Sequence, residues 1–185
     1  RPPRSTLFPY TSLFRSASSS VLPSIVTLSY TEDRIVEVSR TKILGCSGEN
    51  GDRKQLGDYL VANFNLYKFR NERETDMDAT AHSFRNSLAY FLRRQPYQVN
   101  LILGGVDGEV PSIYFIDYLG TMKKMDYCAH GYPSYILLSL FDRLWKRNMT
   151  REEAVELANR CMDEMKNRFP MNEHHYITKI GRAHV

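Results

Sequence analysis

The spacing of apolar residues changes along the chain and marks successive strands and helices. Residues 34–38, RIVEV, alternate apolar and polar positions, and the more apolar run KILGCSG begins at Lys42. This pattern predicts two short antiparallel strands. Asn50, Gly51 and Asp52 are residue types typical of a turn and a helix cap, and they precede a helix that is predicted to run to about Arg70. Its apolar face recurs at spacings of three and four residues: Leu56, Leu60, Phe64 and Tyr67.

The middle of the chain predicts a second helix followed by a group of strands. The helix comes after NERETD, ends before Pro96 and has an apolar face made of Ala81, Phe84, Leu88, Phe91 and Leu92. Next come two strand-rich runs, QVNLILGGVD and SIYFIDYLG, joined by the turn DGEVP. DYCAHG, at 126–131, predicts a further short strand. We therefore expect one antiparallel meander on which the two helices lie.

Two more helices and a strand complete the pattern. A third helix is predicted from Tyr132 to Trp145, and Thr150 with Glu153 matches the S/T-x-x-E capping box of a fourth. The buried stripe of that helix would be Ala154, Leu157, Ala158, Cys161 and Met165. HHYITKI predicts the last strand. This order of elements is typical of one layered α+β domain, without an internal repeat or a dividing linker.

Composition fits a single domain with one substantial core. The chain has 185 residues, of which 42% are apolar and 25% charged. It contains no apolar run long enough to span a bilayer, and its first residues lack the pattern of a secretory signal. We expect a soluble, intracellular protein that does not contact membranes.

The net charge of +4 arises at the two ends of the chain. Arg1, Arg4, Arg15 and Arg182 lie in end segments that contain no acidic residue, and the interior holds as many basic as acidic residues. A nucleic-acid partner is therefore not expected, because such a surface is usually basic.

Cysteine and histidine spacing gives no metal site. Cys46, Cys128 and Cys161 are far apart, which fits reduced thiols buried as small apolar residues. His174 and His175 are adjacent and would point to opposite faces of a strand. We expect no metal and no cofactor.

For three further motifs, a structural role is favoured over a catalytic or ligand-binding role. Ser47 lies in CSGE, without GxSxG and without a histidine placed to serve it. Gly104 and Gly105 lack a Walker lysine or GxGxxG, so residues 105–110 predict a hairpin turn. Asp117, read as part of a strand, is expected to be an acid at a sheet edge or interface.

Several blocks, in order and in register, resemble the proteasome beta subunits. They are GENGD, LYKFRN, VNLILGGVD, YFIDYLG, AHGY, LFDR and REEAVELANRCMDE, within a resemblance from Ala17 to Lys179. Among these subunits the chain is most similar to the non-catalytic member at the fourth position of the beta ring. The resemblance implies the four-layer αββα sandwich of the N-terminal nucleophile hydrolases, which agrees with the element order.

The resemblance also identifies two positions of the family's catalytic machinery. Active subunits use an amino-terminal threonine as nucleophile, with its own α-amine as the base. The family's catalytic aspartate falls at Ser19, and its catalytic lysine falls at Arg34. Serine has no carboxylate, and arginine stays protonated and does not shuttle a proton. We therefore expect no catalytic residue at either position.

The two ends of the chain do not match the family. LFPYTSLFRS resembles the in-frame translation of a sequencing adapter, LFPYTTLFRS, and IGRAHV matches translation of the opposite adapter. We expect 1–16 and 180–185 to be non-native, with the family domain at 17–179 and its first strand missing. The alternative is a natural, disordered basic arm.

The leading functional expectation is a non-catalytic, structural subunit of the beta ring of the 20S proteasome core. It would support protein degradation by other subunits, contact neighbouring beta subunits and the alpha ring, and occur in the cytoplasm and nucleus. One alternative is an active threonine endopeptidase subunit whose amino-terminal threonine is lost from this sequence. The other is a free-standing intracellular binding module. Ring assembly and reaction with a threonine-directed inhibitor separate the three.

Overall fold

The computed structural model of the chain describes residues 16–19, 33–108, 110–168 and 176–179, with side chains from Asp33 onward except at 176–178. It contains seven strands and four helices in these ranges. In chain order they are β1 (Ser16–Ser19), β2 (Ile35–Ser39), β3 (Lys42–Gly48), α1 (Asn50–Asn71), α2 (Met77–Leu92), β4 (Val99–Asp107), β5 (Val110–Ile116), β6 (Met122–Met125), α3 (Ser134–Leu144), α4 (Arg151–Arg168) and β7 (Tyr176–Lys179). The predicted order of elements is confirmed from β2 onward within these ranges, whereas β1 was not predicted from the sequence.

The main sheet is an antiparallel meander of five strands in the order β2-β3-β4-β5-β6. The long pairs are β3 with β4, from Lys42 opposite Gly105 to Gly48 opposite Val99, and β4 with β5. β4 and β5 join at Gly108, whose φ of +61° suits a tight turn. The predicted hairpin is therefore confirmed, with Gly105 inside β4 instead of in the turn.

The strand predicted at 126–131 is wrong. β6 comes earlier, at Met122–Met125, and residues 126–133 form the connection to α3. The turn after β5 reverses the chain quickly, because Gly120 adopts a φ of +80° and its N–H donates to the Asp117 carbonyl. Pairing with β5 therefore begins at Met122, and the strand ends before the residues whose pattern suggested it.

Helices α1 and α2 cover one face of the meander and form the main core with it. The fully buried members include Leu44, Leu56, Leu60, Met77, Leu88, Val99, Leu101, Leu103 and Ile116. Of the predicted α1 face, Leu56, Leu60 and Phe64 are buried, whereas Tyr67 is exposed. Tyr67 lies in the last turns of α1, and its prediction as a core residue is wrong.

A buried ammonium group joins the ends of four elements. Lys42, at the start of β3, is only 3% exposed, and its Nζ lies 3.5 Å from Asp107 Oδ1 and 3.9 Å from Glu74 Oε2. Asp107 also accepts from the backbone N–H of Met77 at the start of α2. Lys68 Nζ, on α1, lies 2.6 Å from Glu74 Oε1 and is the chief cause of the lowered pKa of that carboxyl. These charges fix the connection between α1 and α2 on the end of the sheet.

Helices α3 and α4 pack on each other through a separate apolar cluster. Its buried members are Leu140, Met149, Leu157 and Cys161. The predicted capping box of α4 is confirmed, since Thr150 N–H donates to Glu153 Oε2 at 2.7 Å and Glu153 N–H donates to Thr150 Oγ1 at 3.2 Å. Within the described ranges, no helix is both long and apolar enough to cross a membrane.

β1 and β7 form a two-stranded antiparallel ribbon, with Ser16 opposite Lys179 and Ser19 opposite Tyr176. β1 lies beside β2. Lys179 Nζ reaches the edge of β2, where it pairs with the Asp33 carboxylate and donates to the Ile35 carbonyl at 2.6 Å. The ribbon is thereby joined to the edge of the main sheet.

Candidate functional site: the positions of the nucleophile machinery and two outward surfaces

Of the two positions matched to the family's catalytic residues, one lies at the end of a strand and the other directly before a strand. Ser19 is the last residue of β1, and Arg34 directly precedes β2, which lies beside β1. The Arg34 carbonyl accepts from the Cys46 N–H at 2.9 Å, which fixes the backbone at this position. The fold therefore places β1 and β2 side by side.

The carboxylate next to these positions already has structural partners. Asp33 Oδ1 accepts from the Ile35 N–H at 2.9 Å, and its other oxygen pairs with Lys179. The Asp33 carboxylate is thus held between a backbone N–H and an ammonium group, which gives it a structural role at the edge of β2. Sequence reasoning missed this pair, because nothing in the local pattern connects residues 146 positions apart.

The other sequence candidates have structural roles. Ser47 lies in β3, opposite Asn100. A side chain at Gly105 would come within 2.2 Å of Met77 Sδ, so glycine there permits α2 to approach the sheet. Asp117 follows β5 and does not lie within a strand, which corrects that part of the prediction. Its Oδ1 accepts from the N–H groups of Leu119 at 3.0 Å and Thr121 at 2.7 Å and so organises the turn.

The three cysteines are free thiols. Burial raises the pKa of Cys46 and of Cys128 to about 12 and that of Cys161 to about 11. All three therefore stay protonated at neutral pH and are poor nucleophiles and poor metal ligands. In the ranges that the structure describes, no three His, Cys, Asp or Glu side chains are grouped as a metal site would require. His174 and His175 lie outside the described residues.

The first outward apolar surface lies at the start of α3. Tyr132 is 79% exposed and Tyr135 is 84% exposed, and Leu138 is exposed one turn further along. We call these three residues the α3 surface. No charged residue occurs from 131 to 141, so water faces aromatic and aliphatic groups over the first turns of this helix. Exposed apolar surface of this kind marks a protein contact more often than a solvent-facing helix.

The second outward surface is a stripe along α1. Tyr59, Ala62, Leu66 and Phe69 are exposed and follow the 3-4-3 spacing of a helix-packing seam, and Phe69 is 78% exposed. We call these four residues the α1 stripe. A groove of about 710 Å³ lies beside it, lined by Tyr59 of α1 and by Ala79, His82, Ser83, Asn86, Ser87 and Tyr90 of α2. α1 is therefore apolar on two faces, one towards the sheet and one outward, as a helix between two protein layers requires.

Comparison with known proteins identifies the family. A family model described as proteasome subunit matches residues 16–180, and the chain belongs to this family. Its fold is that of the N-terminal nucleophile hydrolases, and its family's members are parts of the multi-subunit 20S core that degrades proteins.

Individual relatives are beta-type subunits. The chain is 43% identical over 157 residues to proteasome subunit beta type-2 of Dictyostelium discoideum, covering 83% of this chain and 79% of that protein. It is 40% identical over 166 residues to beta type-2 of Oryza sativa subsp. japonica, covering 89% and 78%. It is 36% identical over 172 residues to proteasome subunit beta type-4 of Saccharomyces cerevisiae, covering 91% and 87%.

Proposed function

We propose that this chain is a non-catalytic, structural subunit of the beta ring of the 20S proteasome core. It completes the ring, contacts neighbouring beta subunits, the alpha ring and the opposite beta ring, and helps to enclose the chamber in which other subunits cleave peptides. It needs no cofactor for this role.

The observation that carries the proposal is the pair of residues at the family's catalytic positions. Ser19 offers a neutral hydroxyl where an active subunit has a carboxylate, and Arg34 offers a guanidinium where it has a lysine. Arginine keeps the positive field but releases no proton near neutral pH. Asp33, the nearest carboxylate in sequence, is engaged by Ile35 N–H and Lys179. A threonine placed before this domain would therefore keep its own α-amine but lack the carboxylate and the lysine that support the reaction in active subunits.

The α3 surface and the α1 stripe support the assembly part of the proposal. They lie on different helices, and the two helices belong to different apolar clusters. A ring subunit has neighbours on several sides and needs separate contact surfaces, whereas a monomer has no use for exposed tyrosine and phenylalanine at two places.

The test uses Saccharomyces cerevisiae cells depleted of their own beta type-4 subunit and supplied with the full chain carrying an affinity tag. Native gels and mass spectrometry measure incorporation into the core particle. A covalent probe directed at amino-terminal threonine measures catalytic competence of the incorporated chain. We expect incorporation without labelling, and no labelling of the Ser19→Asp/Arg34→Lys variant.

The two alternatives give different results in the same experiment. Probe labelling of the incorporated chain identifies an active threonine endopeptidase subunit. A chain that stays monomeric while the cells lack complete core particles identifies a free-standing binding module. A photo-crosslinking residue at Tyr135 or Phe69 then identifies which subunits contact the α3 surface and the α1 stripe.

Two expectations remain proposals of the same kind. We propose that the subunit occurs in the cytoplasm and nucleus, which fluorescence of a tagged chain tests. We also propose that 1–16 and 180–185 are non-native. Transcript reads that continue past Ala17 and Lys179 into other sequence would support this, and genomic sequence encoding these segments in the same exons would contradict it.

A further inference from the structure

The connection between β6 and α3 is attached to the fold at two points. At its start, the Tyr127 hydroxyl donates to the Asp142 carboxylate, and the Tyr127 ring lies 5.4 Å from that of Phe141. Near its end, His130 Nε2 lies 3.1 Å from the Leu101 carbonyl oxygen in β4. The His130 ring also stacks on Phe115 of β5, with ring centroids 4.1 Å apart and planes 26° apart. His130 is therefore the residue that attaches this connection to the main sheet.

The chemistry of this contact determines the state of the imidazole. A carbonyl oxygen only accepts hydrogen bonds, so Nε2 of His130 must carry the hydrogen. Burial lowers the pKa of His130, and the Leu101 carbonyl and the Asp117 carboxylate act in the opposite direction. Asp117 belongs to the turn after β5, and Cys128, in the same connection as His130, is neutral because burial raises its pKa. The contact is thus made by a neutral imidazole with its hydrogen on Nε2.

Only one residue separates this contact from the α3 surface. Gly131 adopts a φ of +77°, and its carbonyl accepts from the Ser134 N–H at 3.1 Å and from Ser134 Oγ at 2.6 Å. Tyr132 lies inside this closed turn, and Tyr135 follows in the first turn of α3. The position of His130 on the sheet therefore contributes directly to the position of Tyr132 and of the first turn of α3, which contains Tyr135.

We propose that His130 is a positioning residue that presents the α3 surface to the apolar face of a neighbouring proteasome subunit. This inference rests on the proposed function. An interface whose side chains are ordered before binding loses less conformational entropy on association. Without the contact to Leu101 and Phe115, the segment from Ala129 to Pro133 has to be ordered by the partner, and association weakens.

Two variants separate the hydrogen bond from the ring contact. His130→Phe keeps an aromatic ring on Phe115 and removes the donor. His130→Gln keeps an N–H donor near the position of Nε2 and removes both the ring and the titration. Tyr135→Ala is the matched control that removes the surface itself. Incorporation into core particles is measured in the yeast cells described above, and hydrogen exchange of the β4 and β5 amides verifies folding.

We expect His130→Phe to be incorporated about tenfold less than the unaltered chain, and His130→Gln to retain most of the incorporation. Purified particles give a second readout. Acidification from about pH 7.5 to about pH 5.5 should release more of the unaltered subunit than of His130→Gln, because burial opposes protonation of the imidazole at position 130 and glutamine takes up no proton there.

Three outcomes contradict the inference. If His130→Phe is incorporated normally while Tyr135→Ala is not incorporated, the α3 surface binds its partner without the contact of His130. Equal acid release of the unaltered chain and His130→Gln means that His130 is not the group that responds. Failure of the unaltered chain to assemble overturns the proposed function and this inference with it, which distinguishes that failure from the first two.

Discussion

Helices α3 and α4 share one apolar cluster but present different outer surfaces. On α3 the outward groups are Tyr132, Tyr135 and Leu138, with no charge from 131 to 141. On α4 the outward groups form ion pairs along the helix: Glu156 with Arg160, Asp163 with Lys166, and Glu164 with Arg168. Both helices are amphipathic, and burial of their inner faces alone does not account for this difference.

The difference indicates what each helix faces. Charged pairs at i,i+4 spacing stabilise a helix modestly in water and keep its surface soluble. Exposed aromatic residues without neighbouring charges gain little from water and much from a protein partner. We therefore interpret α4 as facing solvent and α3 as facing another subunit. The predictions below test this comparison, from the largest expected effect to the smallest.

Leu140→Ala should destabilise α3 and α4 together. Leu140 is buried between α3 and α4, and truncating a buried leucine typically lowers the free energy of unfolding by about 2–5 kcal/mol. Urea denaturation of the purified chain measures the change. Leu138→Ala on the same helix is the matched control and should change stability by less than about 0.5 kcal/mol, since Leu138 is exposed. Equal effects of both variants would show that the two helices do not share a core.

A single added charge should affect α3 and α4 differently. Tyr135→Asp places a carboxylate in the α3 surface and should reduce incorporation into core particles by at least about tenfold, because an unpaired charge in an apolar interface is costly. Asn159→Asp adds the same charge on the exposed side of α4 and should leave incorporation unchanged. Native gels of the two strains give the comparison directly. If both variants fail to be incorporated, or if both are incorporated normally, the two surfaces do not differ in the way proposed.

Acid should loosen the start of α3 before it affects the rest of the fold. The pKa of His130 is lowered by burial, so the unfolded chain, with an ordinary pKa of about 6.5, holds more protons than the folded chain just below that pH. The free energy of unfolding should therefore decrease as pH falls below about 6.5. Hydrogen exchange at 129–135 as a function of pH measures this locally.

The carboxylates titrate in a lower pH range than His130, and their response provides the control. The pKa of Glu74 is lowered, chiefly by its hydrogen bond with Lys68, so its contribution is present above its unfolded pKa of about 4.5 and is lost only at lower pH. His130→Gln should abolish the change near pH 6 and keep the change below about pH 4.5. An unaltered response near pH 6 in that variant would assign the effect to another group.

The smallest effect is expected on α4. Arg160→Gln removes the 2.6 Å ion pair with Glu156, both of whose side chains are largely exposed. Such i,i+4 pairs contribute about 0.3–0.5 kcal/mol, and added salt screens them. We expect a change in the free energy of unfolding of that size at low salt, and almost none at high salt. A loss above about 1.5 kcal/mol would show that this face of α4 is not simply solvated.

Local signals accounted for the elements that the sequence placed well. Thr150 and Glu153 make the reciprocal hydrogen bonds that their spacing predicts, and Gly108 occupies the left-handed region in the predicted hairpin. Such features depend on neighbours within a few residues, so the sequence carries their full specification. Of the predicted stripe of α4, Ala154, Leu157 and Cys161 are buried, whereas Ala158 and Met165 are only half-buried.

Predictions failed where a distant contact outweighed the local pattern. DYCAHG has the residues of a strand, yet Tyr127 and His130 contact α3 and the main sheet instead of pairing with β5. Tyr67 matches the apolar period of α1 but lies near its end, beyond the part that packs on the sheet. The pair of Asp33 with Lys179 joins strands from opposite ends of the sequence, and no local pattern reports it.

The sequence by itself determined the order of helices and strands from β2 onward, their caps and turns, the family resemblance and, through it, the prediction that Ser19 and Arg34 occupy the family's catalytic positions. Tertiary structure decided which apolar residues remain outside the core, how the buried charge of Lys42 is neutralised, and how His130 holds the start of α3 on the sheet. The physical reason is the distance along the chain between the groups that interact. Caps and turns are set by atoms a few residues apart, whereas exposure, charge pairing and the placing of an interface depend on groups that only folding brings together.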